Sequence, residues 1–585
     1  MDTHVTSKPT LNDIGLAHGT DKSTRYHGYL PVYAQALEHL REETFTLIEV
    51  GVFQGSSAQM WADYFPNARI VGVDVNPECR QYESDRITIR IGDQGNREFL
   101  GSLVADVDPL VVIDDGSHQW RHQIVTFEEL FPAVAPGGVY ICEDIHTSFG
   151  RYAQTYSRGH DLSAYDYLLQ LARPLVAGVM AEAPPDPIEK LFRDTVESVV
   201  LLKHAVIIRK RPDTGRTWRR TDLKDSQETA DTWVVGEPES YRRIESEVVG
   251  ASEYVGKALA ALVDEGRVDI AAPVSARLHD VVVSTGGLCL TASGEILEES
   301  LNSARNLTSV DGLHRIGNGE RWYAAPALRP IDVPAQPGVE HVLLKSCWDG
   351  NYGHWLIDVV PKLRLLEQLP LRGTPRFVLA RRGGAMEAVV RDTLGLAGYP
   401  DPDLHYLDAL TRFERLIVLG TVSHHPLVKA PSAIRYLERL GREVPAGPHR
   451  RVYVSRNLGG RRRLTNEAEL LPLFTARGYH VVSPETLSLV EQISMFKGAQ
   501  IVAGNLGAGL ANLVFSPAGV TVLALTTPKM PHDFFYDIVC HKGGHYRGLQ
   551  GLSTDPQPEI GSDFSVDAAM LTAGLDWAEL ACGDD

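Results

Sequence analysis

The sequence predicts an α/β chain made of two successive strand–helix halves, on three observations. Short β-branched apolar runs recur along the chain and end in glycine or a carboxylate. The stretches between them space their apolar residues as helices do, and this alternation builds parallel sheets covered by helices. The 585 residues are 43% hydrophobic and 23% charged, a globular balance. Such a length allows about three or four domains.

The first half reads as strands at TLIEVGV (46–52), ARIVGVDV (68–75), ITIRIGD (87–93), LVVIDD (110–115) and GVYICED (138–144). SSAQMWADYF and HQIVTFEELFPAVA supply helices between them, and LLKHAVIIRKRP (201–212) reads as a late closing strand. The expected first domain is therefore 1–212. Residues 213–265 are charged and weakly periodic and read as a linker with room for one helix near its end. A second α/β domain is expected over 266–552, with strands at 339–347, 376–381, 414–420, 450–456, 478–484, 499–505 and 519–525. Its cadence restarts after Pro431, which predicts two lobes, and 553–585 reads as a peripheral tail.

Composition excludes some classes of function. The 75 acidic and 57 basic residues give a net charge of −18, which argues against a nucleic-acid or membrane-surface binder. Six scattered cysteines form no CxxC pair, so neither a disulfide framework nor a thiolate metal site is expected. The first residues lack a signal pattern, and no apolar run approaches the length of a membrane span. A cytoplasmic protein with no integral membrane segment is expected, and homo-oligomerisation is left open.

Two constellations carry chemistry in the first half. In LIEVGVFQGSS (47–57), Gly51 and Gly55 allow a tight turn and the close backbone approach that an adenosyl ligand needs. Asp74 ends the next strand, where a carboxylate can accept ribose hydroxyls, and Asp93 ends the third, within reach of a base. The second constellation is IDDGSHQWRHQ (113–123) with CEDIHTS (142–148). Asp114, Asp115, Glu143 and Asp144 at neighbouring strand ends would repel one another. A hard divalent cation resolves that conflict, and oxygen ligands suit Mg²⁺. His118 is close enough to take a proton from a hydroxyl that the metal polarises. Turn and helix-cap duty is the plainer alternative.

These residues, together with GTDKSTRYHGYLPVY (19–33), GDQ and IDDGSHQWRHQIVTFEELFP, resemble the metal-dependent sugar O-methyltransferases that act on macrolide sugars, the mycinamicin and macrocin type. The resemblance spans about 10–212 and implies a Rossmann-like class I methyltransferase domain. It implies S-adenosylmethionine surrounded by Glu49, Gly51, Asp74 and Asp93, Mg²⁺ held by Asp115, Glu143 and Asp144, and His118 as general base.

The second half has its own constellations. SCWDGNYGHWLIDVVPKLRLL (346–366) sets His354 and Asp358 four residues apart on one helix face, a carboxylate-oriented imidazole suited to deprotonating a sugar hydroxyl, beside Trp355. RRVYVSRNLGGRRRLTNEAEL (450–470) runs from a strand through Arg456 into a glycine- and arginine-rich loop that suits a diphosphate. In AQIVAGNLGAGLAN, Gly504, Gly507 and Gly509 leave helix N-terminal amides facing an anion, and Glu491 upstream suits ribose hydroxyls.

The order of these blocks resembles glycosyltransferase family 61 over about 340–530. That resemblance implies a metal-independent, inverting enzyme with a two-lobed GT-B-like fold and a nucleotide-sugar donor. Arg456, Asn466, Glu467, Glu491, Gly507, Ala508 and Gly509 would line the donor site, and His354 with Asp358 the acceptor side. The sequence departs from the pattern at Leu506, preceded by Asn505, where the family has His, at Ala511 where Thr is common, and at Lys362 where Arg is usual.

The expected whole is a bifunctional enzyme that methylates a sugar hydroxyl and transfers a glycosyl group to a carbohydrate or glycosylated acceptor. Its setting would be the biosynthesis of a surface polysaccharide, glycolipid or glycosylated metabolite. The alternative is a single-activity enzyme whose other domain only binds carbohydrate or nucleotide.

Overall fold

The computed structural model describes residues 8–104, 107–177, 186–212, 217–301, 309–316, 321–324, 329–346, 348–424 and 428–583. The chain divides into two compact units. The first is Met1–Arg220 with Gly294–Ile296 and Leu307–Arg329; the second is Thr221–Ser293, Leu297–Asn306 and Pro330–Asp585. Both are mixed α/β with sheets of parallel strands.

In the first unit, β1 (Thr46–Val50), β2 (Arg69–Asp74), β3 (Ile87–Ile91), β4 (Val111–Asp114), β5 (Val139–Cys142), β6 (Val196–Leu201) and β7 (Val206–Lys210) form one sheet in the order 3-2-1-4-5-7-6. The first five strands are parallel, and β7 and β6 close the edge antiparallel. Alternate residues feed two separate cores, as the pleat requires. Leu47, Ile70, Ile89, Ile113 and Ile141 pack with Leu11, Tyr33 and Trp61, whereas Ile48, Val71, Val112 and Tyr140 pack with Leu100, Phe127 and Phe192. A sheet buried on both faces explains the continuous apolar runs in the sequence. The chain leaves β1 toward β2 on one side and reaches β4 on the other, so the β1–β4 boundary is a switch point where loops splay apart and ligands bind.

The expected first domain also gains a piece from far along the chain. Strands Leu313–Ile316 and Arg321–Ala324 pair antiparallel and belong to this unit. Arg321 donates to the Val104 and Val107 carbonyls and pairs with Asp108 at 3.0 Å.

Among the described residues the second unit has, beside two two-stranded sheets, two large ones. In one, Val339–Leu343 lies parallel to both Thr374–Leu379 and Thr411–Val418, and Asp403–Tyr406 extends the row. Val274–Val283 pairs antiparallel with Thr411–Val418. The other sheet is six-stranded and wholly parallel. Its order is Ser246–Val249, His545–Gln550, Thr521–Thr526, Ile501–Asn505, Arg451–Val454 and His480–Val482.

Two sequence expectations change here. Residues 213–265, read as a linker, carry strand Thr229–Val234 against Val274–Val283, edge strand Ser246–Val249 of the parallel sheet, and helix Glu253–Glu265. Their polar-apolar alternation is that of edge strands with one face open, which resembles a charged linker in composition. The tail read as peripheral ends in helix Ala568–Cys582, whose Leu571, Leu575 and Ala578 are buried in a core with Leu523 and Leu549. Among the described residues no helix is long and apolar enough to cross a membrane.

Candidate functional sites

The C-terminal ends of β1, β2 and β4 open onto a cavity of about 550 Å³ whose wall includes Gly51, Asp74, Asp93, Asp115, His118 and Asp144. Gly51 has φ +97°, and a Cβ there would lie 2.0 Å from the Asp115 carbonyl oxygen, so only glycine lets these two loops approach. Burial would raise the Asp74 carboxyl, but backbone N–H groups outweigh it and hold the group below its ordinary value. Val52 and Phe53 donate to one oxygen at 2.9 and 3.0 Å, and Asn76 donates to the other at 2.9 Å. Asp74 thus shapes the loop as well as facing the cavity. Asp93 is exposed and accepts the Gly95 N–H at 2.8 Å.

Asp115, His118 and Asp144 each offer a ligand atom, and these atoms lie within 4.8 Å of one another. His118 Nε2 is 3.7 Å from Asp144 Oδ2, and the buried His118 Nδ1 has no partner among the described residues. Both residues are left-handed, at φ +54° and +51°, a conformation that costs a non-glycine residue about 1 kcal/mol or more. The Thr147 hydroxyl clamps them together, 3.2 Å from the His118 carbonyl and 2.9 Å from that of Asp144. Tyr29 donates to Asp144 Oδ1 at 2.9 Å.

The expected Mg²⁺ ligands are Asp115, Glu143 and Asp144, and sequence reasoning overlooked Lys22. The buried Lys22 ammonium pairs with Asp115 and, at 2.9 Å, with Glu143. Burial would lower the Lys22 pKa, but the two carboxylates outweigh it and hold Lys22 charged. Glu143 is almost wholly buried behind the cavity wall rather than on it. Glu49 also differs from expectation: its carboxylate accepts from Ser57 at 2.9 Å and Trp61 at 3.0 Å behind the wall. Burial pushes its pKa up to about 7, against the pull of Lys22. Gly55, at φ +72°, supports the turn against the Tyr82 ring without lining the cavity. Asp114 sits one residue deeper than Asp115, bonded to Gln94 at 3.0 Å, and burial raises it to about 7.

The second unit holds a cavity of about 560 Å³ between its two large sheets' loops, lined by Asn351, Tyr352, Met386, Arg456, Asn505 and Gly507–Gly509 among others. The Arg456 guanidinium lies so close to Gly507 that a Cβ there would meet its Nη1 at 2.2 Å. Burial depresses the pKa of both Arg456 and Arg462, the latter to about 10, and neighbouring arginines push the same way. Arginines clustered so that they depress one another attract an anion. The Gly507–Gly509 backbone leads into a helical turn at Ala508–Phe515.

His354 Nδ1 and Asp358 are 2.8 Å apart, as the spacing predicts, and the Ser423 hydroxyl donates to the other Asp358 oxygen at 2.6 Å. The helix itself differs from the regular one expected. Trp355–Val359 winds as a π-helix and Val360–Lys362 tightens to 3₁₀. Pro361 cannot donate back to the preceding turn, and wide turns of this kind recur at functional sites. Trp355 is packed and donates to Thr393 at 2.9 Å.

Three residues expected at the donor site make bonds within the fold. Glu491 forms a capping box with Ser488, accepting from its hydroxyl at 2.7 Å and its N–H at 2.8 Å. Asn466 holds the tail through both Val566 backbone groups, and Glu467 accepts from the Tyr453 hydroxyl at 2.8 Å. None of the three is on the cavity wall.

Residues 352–523 match the family model Glycosyltransferase 61. The curated proteins to which the N-terminal region is similar include three O-methyltransferases. One is the 8-demethyl-8-(2-methoxy-alpha-L-rhamnosyl)-tetracenomycin-C 3'-O-methyltransferase of Streptomyces olivaceus, 37% identical over 154 residues, 25% of this chain and 39% of that protein. Another is the demethylmacrocin O-methyltransferase of Streptomyces fradiae, 34% identical over 25% of this chain and 38% of that protein. The mycinamicin VI 2''-O-methyltransferase of Micromonospora griseorubida is 34% identical over 24% and 37%. The chain thus spans about two fifths of the length of the curated relatives it matches. Among solved structures, the MycE methyltransferase in complex with Mg, SAH and mycinamycin VI aligns at 25% identity and a TM-score of 0.32, over 35% of this chain and 54% of that one.

Within the glycosyltransferase 61 match, Leu506 is 2% exposed and packs into the core, its N–H bonded to the Leu525 carbonyl. Its neighbour Asn505 reaches the cavity instead. Lys362 is likewise buried, and burial lowers its pKa.

Proposed function

We propose that the chain is a bifunctional transferase. Its first unit would be a class I, Rossmann-like methyltransferase that methylates a sugar hydroxyl with S-adenosylmethionine and Mg²⁺. Its second would be a two-lobed GT-B-like enzyme that transfers a glycosyl group, with inversion, from a nucleotide sugar. Both steps would modify a carbohydrate or glycosylated acceptor during synthesis of a surface polysaccharide, glycolipid or glycosylated metabolite. The observation that carries this reading is the convergence of Asp115, His118 and Asp144 within 4.8 Å, in the same cavity as Asp74 and Gly51.

When bound, S-adenosylmethionine supplies an electrophilic methyl group, and Mg²⁺ lowers the pKa of a hydroxyl whose oxygen it contacts. Asp115 and Asp144 are the residues to hold the metal, with Glu143 behind them. His118 takes the acceptor's hydroxyl proton, and Asp144 beside it stabilises the imidazolium. Asp74 and Gly51 fix the cofactor's ribose and backbone approach. In the second unit Arg456 and the Gly507–Gly509 amides bear the charge of the departing diphosphate. His354, oriented by Asp358, takes the proton of the attacking hydroxyl.

The test incubates the full chain with labelled S-adenosylmethionine and a glycan extract, with Mg²⁺ or with chelator, beside the Asp115→Ala/Asp144→Ala variant. Methyl transfer that needs Mg²⁺ and vanishes in the variant is expected. No binding of S-adenosylmethionine by calorimetry would sink the methyltransferase assignment. Donor hydrolysis with nucleotide sugars separates a working second unit from one that only binds.

A further inference from the structure

Asn505 ends the strand Ile501–Asn505 in the parallel sheet. Its side chain is 1% exposed and lies on the wall of the second unit's cavity. Neither its amide oxygen nor its amide nitrogen has a hydrogen-bond partner among the described residues. Native proteins pair nearly all buried polar groups, so a carboxamide unpaired at both ends on a cavity wall is suited to a ligand.

The surroundings say which ligand atoms fit. Val454 stands opposite Gly504 on the neighbouring strand, so Ser455 and Asn505 follow at adjacent strand ends, with Arg456 next. The anion-attracting guanidinium of Arg456 over Gly507 is therefore close by. An anion only accepts, so it would engage the amide nitrogen and leave the buried amide oxygen unpaired. Hydroxyls both donate and accept, and two on neighbouring carbons engage both ends of the amide at once. Met386, Val389, Leu458 and Leu487 make other parts of the wall apolar, which suits the flat ring of a nucleobase.

We propose that the Asn505 carboxamide binds hydroxyls of the glycosyl group on the donor, beside the diphosphate held by Arg456, and so selects the sugar that is transferred. The proposal rests on the glycosyltransferase reading of this unit and adds the residue that reads the sugar. Leu506, in the core, leaves that task to its neighbour.

Calorimetry on the full chain with UDP, UDP-glucose, UDP-N-acetylglucosamine, GDP and GDP-mannose tests it, using wild type, Asn505→Ala and Asn505→Leu. Wild type should bind one nucleotide sugar about tenfold or more tightly than its nucleoside diphosphate, an increment of about 1.4 kcal/mol. Both variants should keep the nucleoside diphosphate affinity and lose the increment. Without ligand, Asn505→Leu should melt no lower than wild type, because it removes an unpaired buried amide, whereas loss of a structural amide lowers the melting temperature. The proposal is overturned if wild type gains nothing from the sugar, if the variants keep the increment, or if they lose both ligands alike. Failure of wild type to bind any of the five probes would bring down the glycosyltransferase reading, and this inference with it.

Discussion

The two cavities are nearly the same size, about 550 and 560 Å³, and both open where parallel strands end, yet their chemistry is opposite. The first is walled by Asp21, Asp74, Asp93, Asp115 and Asp144, with a buried lysine already neutralising part of that charge. The second sets Arg456 and glycine amides against only Asp392 and Glu485. Strand ends supply the place, and the one or two residues after each strand decide whether a cation or an anion is welcome.

The largest test of this contrast is Lys22→Met. It strips the internal cation from Asp115 and Glu143, and leaving buried charge unpaired costs about 3–5 kcal/mol. The first unit should melt several degrees lower, and added Mg²⁺ should restore more stability to the variant than it gives wild type. An equal Mg²⁺ effect on both proteins would mean that the metal does not share the lysine's carboxylates. Arg456→Ala comes next. Losing a charged hydrogen-bond donor should weaken nucleoside diphosphate binding roughly 10- to 100-fold, while S-adenosylmethionine affinity stays unchanged.

Two buried groups, one in each unit, should answer pH in opposite directions. Burial raises the folded Asp114 to about 7, above its unfolded value, so the folded first unit holds an extra proton between roughly pH 4 and 7 and loses stability as pH rises through that window. Burial lowers His532 in the second unit to about 3, so stability there is lost as pH falls below about 6.5. Denaturant midpoints across pH should flatten in Asp114→Asn at the first window and in His532→Gln at the second, by about 1 kcal/mol per pH unit. The smallest effect belongs to Glu491→Gln. It weakens an exposed helix cap, so a slight drop in melting temperature with unaltered nucleotide affinity is expected, whereas a clear loss of affinity would return Glu491 to the donor site.

Much of the sheet architecture was legible because both faces of the sheets are buried, which writes β-branched runs directly into the sequence. The acids at the strand ends were legible for the same reason: each closes such a run. Lys22 was not, because it arrives from an aperiodic loop before the first strand and meets Asp115 93 residues later. Glu491 carried a readable signal that points elsewhere, since Ser488 three residues before it spells a helix cap. The π-wound turn at Trp355–Val359 preserved the predicted His354–Asp358 pair but not the predicted helix. Asn505 stood next to the departure at Leu506, and only packing shows which of the two faces the cavity.

The edge strand Ser246–Val249 has a consequence for how the protein is made. Its parallel partner, His545–Gln550, leaves the ribosome some 300 residues later, as the 300-residue reach from Ser246 to Tyr546 records. Until then the early strand is an unpaired edge on a nascent chain, and contacts of such long sequence separation form slowly and leave chains open to aggregation. A gene fragment begun at residue 266 would lack this strand altogether, so the second unit is expected to need its chain from about residue 221 onward to fold.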